Sequence, residues 1–307
     1  MRVQIYNWNN ILTEVAEELK KRGHEVDVQY QFPRASGWKK FDVFVFWNGT
    51  ELGGWKDHAE MLMKAGKKVV LVQHGRWGTS RIFPPFREMP VCDYICVWGE
   101  GDKRRMSQAG IPVEKIKVTG TPVLRHLKPR EQHMGINVIY SPEHWDQEVV
   151  ENVIVASKLR NLKGVNITTK ILAGEHDESL YDKPVASKRL SPDHLEVCAD
   201  VLKTADLVVA ISESTFELMA ETLDIPVVIA DIWIPKASSG DIRYKDYQRE
   251  YSNACTRVKD INKLNETIMS ELRHPERLKN ERQTAAIEDG GMNLVDPVDN
   301  IIQVILN

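Results

Sequence analysis

The sequence predicts an α/β protein of two doubly wound domains, each a parallel sheet covered by helices. Three observations carry this. Short apolar runs alternate with amphipathic helical stretches along most of the 307 residues. The runs are apolar on both faces, as in strands that helices cover on each side. The alternation breaks once, at Leu127–Gly135 (LKPREQHMG), a charged segment punctuated by Pro129, and then restarts. At ~150 residues per domain the length also fits two.

The elements follow in order. Arg2–Trp8 is an apolar strand, and Asn10–Arg22 a helix in which Ile11, Val15, Ala16 and Leu19 share one face. Gly23 ends that helix as a C-cap, and Glu25–Tyr30 is the next strand. Strands are then expected at Phe41–Phe46, Lys68–Gln73, Tyr94–Trp98 and Lys115–Thr119, with helices at Trp55–Ala65 and Asp102–Ala109. After the break come a strand at Asn137–Tyr140, a helix at Gln147–Leu162 and a strand at Val165–Leu172. Asp193–Thr204 is a helix, Leu207–Ile211 a strand, Thr215–Thr222 a helix and Pro226–Ala230 a strand. Helices at Ile261–Leu272, Pro275–Ala286 and Asp296–Leu306 close the chain. The domains are thus 1–130 and 131–288, with 289–307 expected to return as a helix to the first. Ligands of such sheets sit outside the carboxyl ends of the strands, here in a cleft between the domains.

Composition narrows the class. An apolar fraction of 42% with 28% charged residues is that of a globular chain with a buried core. No run approaches the ~20 apolar residues of a membrane helix, and MRVQIYNWNN lacks a secretory apolar core. Cys92, Cys96, Cys198 and Cys255 form no metal-like spacing and read as reduced thiols of a cytoplasmic protein. The net charge of −3 hides an asymmetry: residues 1–130 carry +8 and residues 131–307 carry −11. Such a split bears on partners rather than on fold.

Three segments carry a resemblance. They are KKRGHEVDV after the first helix, KVVLVQHGRWGTS with CDYICVWGEGDKRRMSQAGIPVEKIKVTGTPV, and LKTADLVVAISESTFELMAETLDIPVVIAD. Together they resemble the two-Rossmann (GT-B) glycosyltransferase superfamily over nearly the whole chain. That superfamily includes nucleotide-sugar transferases, polyol-phosphate transferases and sugar-nucleotide 2-epimerases. The resemblance implies two Rossmann-like domains facing a central cleft, acting on a nucleotide-diphosphate sugar, UDP-linked in the first instance.

The donor site expected from these residues lies where Leu207–Ile211 delivers Ser212, Ser214 and Thr215 to the start of a helix. Backbone N–H groups and the positive helix end favour a phosphate there. A plainer alternative stands beside it: Ser214 and Glu217 form a capping box that only closes the helix. The resemblance adds the ribose hydroxyls as partners of Glu217. It also places a donor-contacting loop at SPEHW, with His144, and a K-x-H type segment at ITTKILAGEHD, with Lys170 and His176. A lysine there would stabilise the departing diphosphate without a metal. No D-x-D motif is present, so metal-independent chemistry with no further cofactor is expected.

In the first domain His74, in QHG after a strand, is the candidate base, with Asp57, His58 and Glu100 as alternatives. Arg76, Trp77, Arg81, Arg87, Arg104 and Arg105 are the candidate acceptor contacts, a cationic and aromatic set suited to a phosphate chain. The expected acceptor is therefore a hydroxyl on a polyanion. Hydroxymethylated DNA, as modified by phage transferases of this fold, is the first choice, and host cytoplasm is then the compartment. A surface polysaccharide is the rival acceptor. A 2-epimerase needs G-T-R-P-E at the first strand, where this chain has YNWNN. A non-catalytic nucleic-acid-binding module is the remaining alternative.

Overall fold

The computed structural model describes all residues except 8–9, 30–36, 47–54, 76–90, 109, 143–148, 175, 189–190, 192, 213 and 233–251. The chain divides into two compact units. One is Met1–Arg125 with Ile287–Asn307, and the other is His126–Ala286.

The first unit contains strands β1 (Arg2–Tyr6), β2 (Glu25–Gln29), β3 (Val43–Phe46), β4 (Lys68–Val72), β5 (Tyr94–Val97) and β6 (Ile116–Val118). They form one sheet in the order β2-β1-β3-β4-β5-β6, and every neighbouring pair is parallel. Helices α1 (Thr13–Lys21), α2 (Trp55–Lys64) and α3 (Glu100–Gln108) connect them. Helix α1 starts three residues later than the apolar period suggests. The reason is local: Asn7 accepts the Leu12 N–H and donates to Thr13 Oγ1 at 2.9 Å, while Asn10 takes a left-handed φ of 62°. Val15, Ala16 and Leu19 of α1 are buried, and β3, VFVF, is buried at all four positions. Helices therefore cover both faces, as the apolar runs require.

The second unit repeats the plan. Strands β7 (Asn137–Ser141), β8 (Asn166–Leu172), β9 (Pro184–Ser187), β10 (Leu207–Ala210), β11 (Val227–Ala230) and β12 (Cys255–Val258) pair in parallel in the order β12-β11-β10-β7-β8-β9. The helices are α4 (Val149–Arg160), α5 (His194–Leu202), α6 (Thr215–Thr222), α7 (Leu264–Arg273) and α8 (Lys279–Glu288). Strands β9 and β12 are additions to the elements expected from sequence. Both are edge strands of four residues without an apolar run, and β9 opens on a proline, which only an edge or a first position tolerates. Helix α8 begins four residues after the expected Pro275, and its buried Arg282 donates to Asp224 Oδ1 and to the Pro275 carbonyl. That anchors the helix to the turn before β11.

The last helix, α9 (Pro297–Leu306), belongs to the first unit. Its Val298, Ile301, Ile302 and Ile305 pack with Leu12, Val15 and Leu19 on one face of that sheet. Burying each such side chain contributes about 1.5–3 kcal/mol. Lys68 Nζ donates to the Val304 carbonyl at 2.6 Å, a cation at the negative end of α9. The approach to α9 is close: a Cβ on Gly99 would lie 1.9 Å from the Glu288 carbonyl oxygen. Gly291, at φ +64°, has the same constraint, since its Cβ would meet the Trp98 carbonyl oxygen at 2.2 Å. All four cysteines are buried and none forms a disulfide among the described residues, and burial pushes the Cys92 thiol up to about 12. Among the described residues no helix is long and apolar enough to cross a membrane.

Candidate functional site

In each sheet the strand order reverses once, and the carboxyl ends beside that reversal open a crevice for ligands. In the second unit the chain runs from β7 outward through β8 and β9, and from β10 outward through β11 and β12. The reversal thus lies between β7 and β10, where Ser141 pairs with Ala210. Ile211 and the buried Ser212 follow β10 and lead into α6.

The start of α6 is a capping box. Ser214 has extended backbone, its Oγ accepts from the Phe216 N–H at 3.2 Å, and its N–H donates to Glu217 Oε2 at 2.7 Å. The Ser214 hydroxyl also hydrogen-bonds Glu217 Oε2. Glu217 is 1% exposed, and its Oε2 accepts from the Ser214 N–H at the helix start. Thr215, half-buried, occupies the first helical position.

Lys170 completes this group. It lies in β8 one residue beyond the Tyr140–Thr169 pair, and its side chain is 7% exposed. Its Nζ stands 5.8 Å from the Phe216 ring centroid, under the first turn of α6. It hydrogen-bonds the Cys198 thiol, which burial nonetheless pushes up. No carboxylate forms a salt bridge with Lys170 among the described residues. A buried cation unpaired with any carboxylate among the described residues, beneath a helix N-terminus, is an arrangement complementary to a phosphate.

His176 sits just past β8, bridged to Ala173 and edge-on to Tyr181 at 5.8 Å. His144 lies outside the described residues. Sequence reasoning missed a further pair at the same sheet edge: Ser187 Oγ and His194 Nδ1 are 2.8 Å apart, joining the end of β9 to the start of α5. Nothing in the spacing signals it, because β9 itself is not legible.

In the first unit the reversal lies between β1 and β3. The Tyr6 and Phe46 rings stack there at 4.9 Å, and His58 of α2 meets both edge-on. The His58 Nε2 is buried with no hydrogen-bond partner among the described residues, and burial lowers its pKa. His58 thus stands edge-on to these rings, while Asp57 and Glu100 are exposed.

His74 lies one strand further on, after β4, and is half-buried. The residue before it is the hub of a buried network. Gln73 Nε2 donates to the Gly75 carbonyl at 3.0 Å and to Asp102 Oδ2 at 2.8 Å, and its Oε1 accepts from the Trp98 N–H at 2.8 Å. Asp102 Oδ1 in turn accepts from Arg105 Nη2 at 2.6 Å. Burial, with Asp289 nearby, pushes the Asp102 carboxyl up to about 6 against the pull of Arg105.

The acceptor residues expected from sequence divide accordingly. Arg76, Trp77, Arg81 and Arg87 lie outside the described residues. Arg105 is held between Asp102 at 2.6 Å and Asp289 at 2.8 Å. Arg104 is 61% exposed and pairs with Glu288 at 2.5 Å. Among the described residues no group of three or more His, Cys, Asp or Glu side chains is placed to hold a metal ion.

No protein-family model matches the sequence, and no curated protein matches it. Solved structures do. The chain is similar to UDP-GlcNAc 2-epimerase from Neisseria meningitidis bound to UDP-GlcNAc, with a TM-score of 0.58, 10% identity and coverage of 100% of this chain and 99% of that one. It is similar to the wall teichoic acid polymerase TagF, with a TM-score of 0.60, 12% identity and coverage of 99% and 88%. It is also similar to a glycosyltransferase from Rickettsia africae, with a TM-score of 0.55, 11% identity and coverage of 99% and 97%. Two parallel-sheet units, each with one strand-order reversal, define the doubly wound α/β class. Within that class the protein has the GT-B fold. Identities this low establish the fold, and the function has to be argued from this chain's own residues.

Proposed function

We propose that the protein is a glycosyltransferase that takes its sugar from a nucleotide-diphosphate donor, UDP-linked in the first instance, without a metal. The diphosphate lies at the first turn of α6, against Ser212, Ser214 and Thr215, with Lys170 beneath. The single observation that carries this reading is the buried Lys170 ammonium under the Phe216 turn, where a leaving diphosphate would supply the missing anion. His74 takes the proton of the acceptor hydroxyl as the glycosidic bond forms and the nucleoside diphosphate departs. The acceptor is an anionic polymer, supported by the +8 charge of residues 1–130. Hydroxymethylated DNA and an acidic polysaccharide are the two polymers to test. Against a 2-epimerase stands the first strand's turn, where Asn7 is engaged with Leu12 and Thr13 and neither an Arg nor a Glu follows within two residues.

The deciding experiment is a thermal-shift screen of UDP-, GDP-, CDP- and dTDP-linked sugars, followed by product analysis. A donor at 100 times its Kd adds about 2.7 kcal/mol to stability. Release of free nucleotide that depends on acceptor supports transfer, whereas acceptor-independent conversion of the sugar would replace it with epimerisation. His74→Ala is expected to cut turnover by roughly 10²–10⁴-fold with donor binding retained.

A further inference from the structure

We propose that Gln73, braced by Asp102, is a positioning residue for His74. The inference rests on the reading of His74 as the proton acceptor. Gln73 and Gly75 flank that histidine, and the Gln73 amide bonds across it to the Gly75 carbonyl at 3.0 Å. Its own backbone N–H is held by the Cys96 carbonyl at 3.0 Å, continuing the β4–β5 ladder. The peptide carrying His74 is thus tied at both ends, by one residue.

The amide has a single orientation. Its oxygen faces the Trp98 N–H, and its nitrogen faces two acceptors, the Gly75 carbonyl and Asp102 Oδ2. A flipped amide would set oxygen against a carbonyl and a carboxylate, and N–H against N–H. Asp102 is fixed in turn by Arg105, itself held by Asp289 at 2.8 Å. Gly101 leaves the room this needs, since a Cβ there would lie 2.9 Å from Asp289 Oδ1. A glutamine needed only to join β4 to β5 would not require the bond to Gly75, because the Trp98 and Cys96 contacts already make that link. The ring that the Gly75 bond closes spans one residue, His74.

Gln73→Met keeps the volume and removes every side-chain hydrogen bond, while Asp102→Asn keeps an acceptor for the Gln73 amide and removes the charge that holds Arg105. Three readouts are needed on the full chain: UDP release from UDP-GlcNAc, the Kd for UDP-GlcNAc, and the His74 imidazole titration followed by nitrogen-15 NMR. Gln73→Met should slow release roughly 10–100-fold, the usual effect of a small misplacement, with Kd within about twofold. The His74 titration should shift in both variants, less in Asp102→Asn. A folded Gln73→Met protein with the wild-type His74 titration and release rate overturns the proposal. If Gln73→Met does not fold, Asp102→Asn decides by the same two readouts. A moved titration in Gln73→Met, with release unaffected by His74→Ala, would keep the positioning role and remove the base assignment.

Discussion

Arg105 and Asp289 are 184 residues apart in the chain and 2.8 Å apart in the fold. The carboxylate is buried, and the guanidinium is about a quarter exposed. Asp289→Ala removes one of the two carboxylates on Arg105 and leaves Asp102 as its partner, so the loss is that of one charge-assisted hydrogen bond, about 1.5–3 kcal/mol. Asp289→Ala should therefore lower unfolding stability by about 2 kcal/mol, read from the urea midpoint at constant slope. A loss of under ~1 kcal/mol would mark the pair as an ordinary surface contact.

Asp102 should titrate with a midpoint of about 6, visible in its carboxyl carbon-13 shift. Asp289→Asn should lower that midpoint, since Asp289 is one of the causes raising it. The folded chain holds this proton more tightly than the unfolded chain. The contribution to stability is thus fully present below about pH 4 and is lost as pH rises through about 6. His58 acts in the opposite sense. Its pKa is lowered by burial, so the unfolded chain gains the proton first and stability falls as pH drops below about 6.5. Comparing Asp102→Asn with His58→Phe across pH 4–8 separates the two slopes.

Lys170→Met and Thr215→Val should each weaken UDP-GlcNAc binding tenfold or more by calorimetry, and EDTA should leave wild-type binding unchanged. Ser214→Ala is expected to cost about 1 kcal/mol of stability as a lost helix cap, whatever it does to binding. Unchanged affinity in both of the first two variants would move the diphosphate away from α6.

Binding of an anionic polymer should weaken linearly in log–log terms as salt rises. For duplex DNA the slope is about −0.9 per phosphate neutralised. Arg76→Glu, Arg81→Glu and Arg87→Glu should each shallow it by roughly one unit. Arg104→Glu should shallow it less, because Glu288 already neutralises that arginine. Salt-insensitive binding to DNA would leave a neutral glycan as the acceptor to test.

Long elements with a strong period were legible, and so was the sheet class. Val43–Phe46 and Leu207–Ala210 are apolar throughout because both faces are covered, which is what the sequence pattern said. Thr215–Thr222 was readable to the residue, since Ser214 and Glu217 mark its start. The edge strands were not, because β9 and β12 are short and lack that covering. At the start of α6 the capping box of Ser214 and Glu217 was legible from its spacing. The states of Arg105 and of Gln73 were not. Each depends on a partner that tertiary contact brings near, Asp289 and Asp102, and no local spacing encodes such a meeting.

The placement of α9 has a consequence for how the protein is made. Residues 126–286 form a unit of their own, whereas the helix that covers Leu12, Val15 and Leu19 is synthesised after them. At ribosomal rates of 5–20 residues per second, the first unit waits on the order of ten to thirty seconds for its final layer. During that interval an apolar strip of β4 and β5 beside α1 stands open. A truncated product lacking 287–307 would keep that strip open indefinitely and should collect in inclusion bodies or on chaperones. Supplying 287–307 as a separate peptide during refolding should return it to solution.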